Sequence, residues 1–239
     1  MIKCRHGMML VGPADSGKTT TYKVLAKSIT KVIEADPSFE ELRVETYVIN
    51  PKSVSLSALY GSYDSISQEF TDGILGSIFR YCAYSKPNKQ RRWIVFDGPV
   101  DANWIENMNT VLDDNKRLCL MNSEIIQMSE TMNMLFETHD LSKASPATVS
   151  RCGMVYLPPE TYGGPPSLLH SWLNAFEHKC ELGTLAHVKA DFLPTRMKNL
   201  FKYIFVDLLD TVMRCCKFII PAAENELTAS MLKIMTIMT

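Results

Sequence analysis

An α/β architecture is what this sequence predicts: a mostly parallel sheet flanked by helices, followed by a small helical part. Three observations carry the prediction. Short apolar runs alternate with amphipathic stretches as far as about residue 158, the order in which a parallel sheet receives its strands and crossover helices. One run, Trp93-Ile94-Val95-Phe96, is apolar without alternation, as a strand buried on both faces must be. Beyond a Pro/Gly-rich stretch at 158–166 the pattern is mainly helical. With 239 residues, 46% of them hydrophobic, the chain can build a substantial core and is too apolar for general disorder.

Residues 7–12 read as a short buried strand that runs into a loop from Gly12 to Gly17. A helix follows over about Lys18 to Glu34, with Tyr22, Leu25, Ile29, Val32 and Ile33 on one face at helical spacing, and Asp36-Pro37 ends it. Arg43 to Asn50 reads as a second strand closed by Asn50-Pro51. Ile74 to Tyr84 reads as a helix. After the 93–96 strand comes another, with Asp101 as N-cap and an apolar stripe of Trp104, Ile105, Met108, Val111 and Leu112. Leu118–Leu120 and Ile125-Ile126 flank Met121-Asn122-Ser123-Glu124 as a hairpin, and Met132–Phe136 and Met154–Leu157 read as further strands. Helices are expected at 167–182, about 196–218 and 225–237. The domain division is then 1–158 for the α/β part, 159–166 for a linker and 167–239 for the helical part. The last helix carries its amphipathic pattern to the chain's end, which suits either a piece of something larger or a helix that simply stops there.

Charge and cysteine usage bound the function classes. Lys and Arg number 25 against 26 Asp and Glu, so nucleic acid is not an expected partner, because coating phosphates requires an excess of cations. No apolar run approaches the roughly 20 residues of a membrane span, and the N-terminus lacks the apolar region of a secretory signal. Seven cysteines, with no Cys-x-x-Cys and an adjacent Cys215-Cys216 pair, indicate a reduced, intracellular protein.

The residues from Gly12 to Thr19 fit G-x-x-x-x-G-K-[ST] between a strand and a helix. Glycines let the backbone turn so that its N–H groups point at phosphate oxygens. Lys18 would reach the β- and γ-phosphates, and the Thr19 hydroxyl would ligate Mg²⁺. The candidate nucleotide-binding residues are therefore Gly12, Pro13, Ala14, Asp15, Ser16, Gly17, Lys18, Thr19 and Thr20; an ordinary Gly-rich turn is the competing reading. Asp15 is an unusual loop residue. Pointing inward it would repel a triphosphate by roughly 1 kcal/mol or more; pointing outward it would be solvated, the reading preferred here. Asp97 ends the 93–96 run and is the candidate carboxylate beside the magnesium, the role of a Walker B acid. In a hydrolysing enzyme a second acid follows directly to activate water; here Gly98 follows. Arg151, before the last strand, is either a surface ion-pair residue or a finger toward a neighbour's γ-phosphate.

Four segments together resemble the dynein heavy chains: Gly12 to Thr19, Trp93 to Asp101, Trp104 to Asn115, and Ala144 to Tyr156, which contains Ser145-Pro-Ala-Thr-Val-Ser-Arg151. More narrowly they look like the second of the six AAA+ modules of the motor ring, in the axonemal wording of cilia and flagella. The resemblance implies an AAA+ P-loop NTPase fold with a large α/β subdomain and a helical lid. It also implies a parent microtubule motor, minus-end directed, in which this module binds ATP (or ADP) and Mg²⁺ with little or no hydrolysis. Arg151 matches the family's arginine finger, reaching the preceding module. The sensor-1 position maps to Asp140, where the family commonly has Asn. The hairpin around 118–126 resembles an insert that contacts the dynein linker, and Arg196 and Arg214 are candidates for a lid arginine. The implied partners are neighbouring AAA+ modules, the linker and, through distant parts of the parent, microtubules of the ciliary or flagellar cytoskeleton. The alternatives are an active ATPase, disfavoured by Gly98, and a structural ring segment without nucleotide, motivated by Asp15 and Asp140.

Overall fold

Side chains alternate across a strand, so a strand with apolar residues at every position supplies two cores at once. The computed structural model, which describes residues 7–36, 38, 42–85, 90–181, 193–220 and 222–238, is organised by two strands that are apolar in this way through their middles. Its chain runs β1 (Gly7–Val11), α1 (Lys18–Ala35), β2 (Arg43–Ile49), α2 (Leu56–Tyr60), β3 (Gly61–Tyr63), β4 (Phe70–Asp72), α3 (Ile74–Tyr84), β5 (Gln90–Asp97), α4 (Ala102–Ile105), α5 (Asn109–Leu112), β6 (Arg117–Cys119), β7 (Ile125–Gln127), β8 (Met132–Thr138), α6 (Pro146–Arg151), β9 (Gly153–Tyr156), α7 (Gly164–Glu181), α8 (Leu193–Cys215) and α9 (Glu224–Met238). The main sheet has the order β2-β5-β8-β1-β9, and each of its pairings is parallel. The expected α/β class and parallel sheet are therefore present.

Met9, Ile94, Phe96, Met134 and Phe136 face one way, packed with Leu75 and Phe79 of α3, Trp104, Ile105 and Met108. Phe96 and Phe136 stack at 5.0 Å, with Trp104 tilted over both. Met8, Leu10, Trp93, Val95 and Leu135 face the other way, against Tyr22 and Ala26 of α1. The stripe expected on α1 needs correcting: Leu25 and Val32 are exposed. Tyr22 and Ile29 do meet the sheet, joined by Ala26, because a single helix lying on a sheet presents only a narrow stripe to it. β2, at the sheet's edge, has an exposed Val48 for the same geometric reason.

The segment after Asp101 also departs from one continuous helix. Asp101 does cap α4, accepting from Asn103 N at 3.0 Å. A 3₁₀ turn over Glu106–Met108 then separates α4 from α5. Tightening the helix there stacks i and i+3 positions, and all five residues of the expected stripe are buried. Residues 51–73, for which the sequence carried no expectation, form α2 and the β3–β4 hairpin. The second hairpin, β6–β7, lies where expected. Arg80 of α3 ties the two together. Its guanidinium bonds both oxygens of Asp72 at 3.0 and 3.1 Å and both oxygens of Glu124 at 3.0 and 2.6 Å.

Chain contacts divide the molecule into two compact units, one running to Leu157 without Ala14–Gly17, the other comprising Ala14–Gly17 and Pro158 onward. In the second, α7, α8 and α9 bury Leu169, Leu173, Phe205 and Leu232, and Trp172 Nε1 donates to Thr236 Oγ1 at 2.8 Å. The stretch 159–166 read as a linker is a 3₁₀ turn over Pro159–Tyr162 and the first turn of α7. Prolines fit there because the first N–H groups of a helix have no intrahelical partner to lose. Residue 182, expected at a helix end, lies outside the described residues, as do Pro37 and Cys4. The cysteines among the described residues form no disulfide. No helix among them is long and apolar enough to cross a membrane.

The Arg80 clamp yields a prediction. Bonds from Arg80, first among the causes, hold the Asp72 and Glu124 carboxyls below their usual range. A depressed carboxylate contributes stability above its unfolded pKa and loses it as pH falls through the folded value. Arg80→Ala should cost about 1 kcal/mol or less globally, as partly exposed pairs do. Hydrogen exchange should nonetheless accelerate selectively at 61–72 and 117–127, and the native chain should show the same selective loss below roughly pH 4. Uniform acceleration across the sheet would exclude the clamp.

Candidate nucleotide site

The carboxyl ends of parallel strands, where the strand order reverses, are where α/β sheets bind ligands. β1 lies between β8 and β9 while the chain leaves it for β2 at the far edge, so the loop after β1 stands at such a point. Gly12 N extends the ladder, bonding Thr138 O at 3.1 Å, and Gly98 N bonds Glu137 O at 3.1 Å. The ends of β1, β8 and β5 are thus held side by side.

Local chemistry shapes the loop. Gly17 has φ +84°, a region costly for any side chain, and a Cβ built there would come within 2.4 Å of the Tyr162 ring, which belongs to the same compact unit. Asp15 also has positive φ, at 55°, which Asp tolerates better than most residues. It is exposed, as are Ala14 and Thr20. Lys18 Nζ donates to the loop's own carbonyls, Gly12 O at 2.7 Å and Pro13 O at 2.6 Å. Ser16 is 1% exposed, yet its hydroxyl has no hydrogen-bond partner. An orphaned buried hydroxyl inside a loop that opens a helix suits a phosphate group, since the helix N-terminus adds a favourable dipole.

Strand periodicity decides which side chains reach this loop. The face of β5 that carries Trp93 and Val95 continues to Asp97, and the face of β8 that carries Leu135 continues to Glu137. Asp97 and Glu137 are partners in register, so both carboxylates lie on the α1 face. Thr19 Oγ1 donates to Glu137 Oε1 at 2.5 Å. Glu137 is 3% exposed and its Oε2 has no hydrogen-bond partner. Burial raises its carboxyl pKa above the usual carboxylate range; the Thr19 bond opposes this, and the Asp97 charge adds to it. Tyr22, one turn beyond Thr19, has its phenol raised by burial and then by the charges of Glu137 and Asp97. No group of three or more His, Cys, Asp or Glu among the described residues forms a metal cage. A nucleotide's Mg²⁺ needs no such cage, since it is commonly held by one or two carboxylates together with phosphate oxygens.

Of the residues singled out in the sequence, the structure brings Gly12, Lys18, Thr19 and Asp97 to one edge. Glu137 was missed, although it is the lone acid of a buried strand and falls on the same alternate face as Leu135. Asp140, two residues past β8, has its carboxylate engaged within its own loop. It accepts from Ser142 Oγ at 2.5 Å, Ser142 N at 2.9 Å and His139 Nδ1 at 3.3 Å, and the Ser142 hydroxyl and amide hold its pKa down. Gly98 carries no acid; a Cβ there would meet Asn50 Oδ1 at 3.2 Å. Arg151 ends α6, with Nε bonded to Asp113 Oδ1 and Nη1 to Ala147 O at 3.0 Å. Exposed Arg214 bonds Asp210 at 2.7 Å along α8, and Arg196 lies exposed near the start of the same helix.

Residues 7–152 match the family model for the AAA domain (dynein-related subfamily). The chain is 44% identical to dynein axonemal heavy chain 3 of Mus musculus over 234 residues, which is 98% of this chain and 5% of that protein. It is 47% identical to dynein axonemal heavy chain 12 of Mus musculus over 219 residues, 92% of this chain and 7% of that one. It is 44% identical to dynein axonemal heavy chain 1 of Homo sapiens over 241 residues, 97% of this chain and 5% of that one. The chain thus spans only 5–7% of the length of these relatives. On the family match, which covers most of its length and includes the whole strand–loop–helix site, the chain belongs to the dynein-related subfamily of AAA domains.

Proposed function

We propose that this chain is the second AAA+ module of an axonemal dynein heavy chain, and that it binds Mg-ATP with little or no hydrolysis. In this reading 1–158 form the nucleotide-binding subdomain, 159–166 the connection and 167–239 the lid. The parent is a minus-end-directed microtubule motor of the ciliary or flagellar axoneme. The module's partners are its neighbours in the ring and, through the β6–β7 hairpin, the linker. When bound with the nucleotide, Mg²⁺ would supply charge neutralisation. The chain's residues supply the rest: loop amides and Ser16 for phosphate oxygens, Lys18 for the β- and γ-phosphates once it leaves the loop carbonyls, and Thr19 and Asp97 for the metal.

The observation that carries the low-hydrolysis reading is Gly98. A general base must reach the water whose proton it takes, and Gly98, directly after Asp97, has no side chain to do so. Asp101 is engaged as the α4 cap and in an ion pair with Lys52 at 2.6 Å. Two observations support binding over a purely structural role: Asp15 is exposed, and the Asp140 carboxylate is engaged with Ser142. Neither departure needs to set a negative charge against phosphate. Arg151 is read as the finger for the preceding module, its guanidinium steadied by Asp113 until that nucleotide is met.

Titration with a fluorescent ATP analogue and Mg²⁺ should give saturable binding with no steady phosphate release, and Lys18→Ala should abolish the binding. Absence of saturation at millimolar nucleotide would sink this reading, and turnover that Lys18→Ala removes would favour an active ATPase. In the complete heavy chain, Arg151→Ala should slow ATP hydrolysis at the preceding module on the order of 10³-fold, as loss of an arginine finger does, while binding here persists. An unchanged motor ATPase rate would remove the finger assignment.

A further inference from the structure

A threonine hydroxyl has one proton and two acceptor lone pairs. For it to ligate a cation, the lone pair must face the metal and the proton must go to an acceptor. That acceptor in this chain is Glu137, whose Oε1 receives the Thr19 proton; Asp97, its partner in register, is the exposed carboxylate beside it. The second oxygen of Glu137 is buried and without a hydrogen-bond partner. A buried carboxylate oxygen left so is costly, and an unpaired acceptor of this kind calls for a partner that the polypeptide does not supply.

We infer that Glu137 is a positioning residue for the cation of the bound nucleotide. Through Oε1 it orients the Thr19 hydroxyl so that a lone pair faces Mg²⁺, and through Oε2 it accepts a hydrogen bond from a water held by that cation. This rests on the nucleotide-binding reading above and adds to it: no carboxylate follows Asp97 at position 98, and the second acid at this edge comes from β8, committed to the metal ligand. Second-sphere acceptors of this kind fix the orientation of a ligand, and their loss weakens metal affinity by roughly 10- to 100-fold.

The test separates metal-dependent from metal-independent affinity. A fluorescent ATP analogue is titrated into the unmodified chain, Glu137→Ala and Glu137→Gln, each with Mg²⁺ and with EDTA. In Glu137→Ala the tightening produced by Mg²⁺ should shrink roughly tenfold or more. Affinity in EDTA should hold or improve, because a negative charge has left the neighbourhood of the phosphates. Glu137→Gln keeps an acceptor for the Thr19 proton in nearly the same volume, so it should recover part of the Mg²⁺ effect. An undiminished Mg²⁺ effect in both variants overturns the inference. So does a parallel loss with and without Mg²⁺ in Glu137→Gln, which would mark a scaffold role alone; that variant decides if Glu137→Ala does not fold. Failure of the unmodified chain to bind nucleotide is a different result, overturning the proposed function and this inference with it.

Discussion

The in-register pairing of β5 with β8 is the constraint on which the rest depends. Each is apolar through its middle and buried on both faces, so neither can slip by one residue without exchanging its two cores. Sliding Trp93 and Val95 to the opposite face would set them against the Trp104 layer and deprive α1 of its seat. The same register fixes the polar ends. Asp97 and Glu137 leave the core together, on the face where α1 begins, because hydrophobic packing several residues earlier leaves them no alternative. The site's geometry is thus a by-product of core packing, and its rigidity comes from the strands.

That placement has an electrostatic consequence. Several carboxylates lie at or near the loop and the strand ends, and the chain distributes their charge by burial. Asp97 and Asp15 are exposed, so water screens them. Asp140 is satisfied within its own turn. Glu137 alone is held dry, against the Thr19 hydroxyl and close to the charges of Lys18 and Lys23. Among these acids only one acts at short range in a low dielectric. Arg151 follows the same economy on the opposite end of the unit: an arginine pinned by Asp113 keeps its orientation at small entropic cost.

Legibility in the sequence followed the range of the interactions. β5, β8 and α3 could be read because an apolar run or a 3.6-residue stripe is a local signal. The loop from Gly12 to Thr19 could be read because its glycine and proximal hydroxyl are needed at fixed offsets along one backbone. α2 and the β3–β4 hairpin carried no such signal; each is three to five residues long, and they are stabilised by what covers them, including the Arg80 bridge to Glu124 some 44 positions away. The α1 stripe was half right, since helical spacing identifies a face and the partner sheet selects which side of it is buried.

What the sequence determined by itself was the chemistry available: a phosphate loop, an acid at the end of a central strand, and no acid after it. These are properties of adjacent residues. Which carboxylate meets the Thr19 hydroxyl was decided only by tertiary structure. Thr19 and Glu137 are separated by 118 positions and Arg151 and Asp113 by 38, and no local pattern relates residues that far apart. Strand order and register bring them together, and those are set by how apolar faces from the whole unit pack at once.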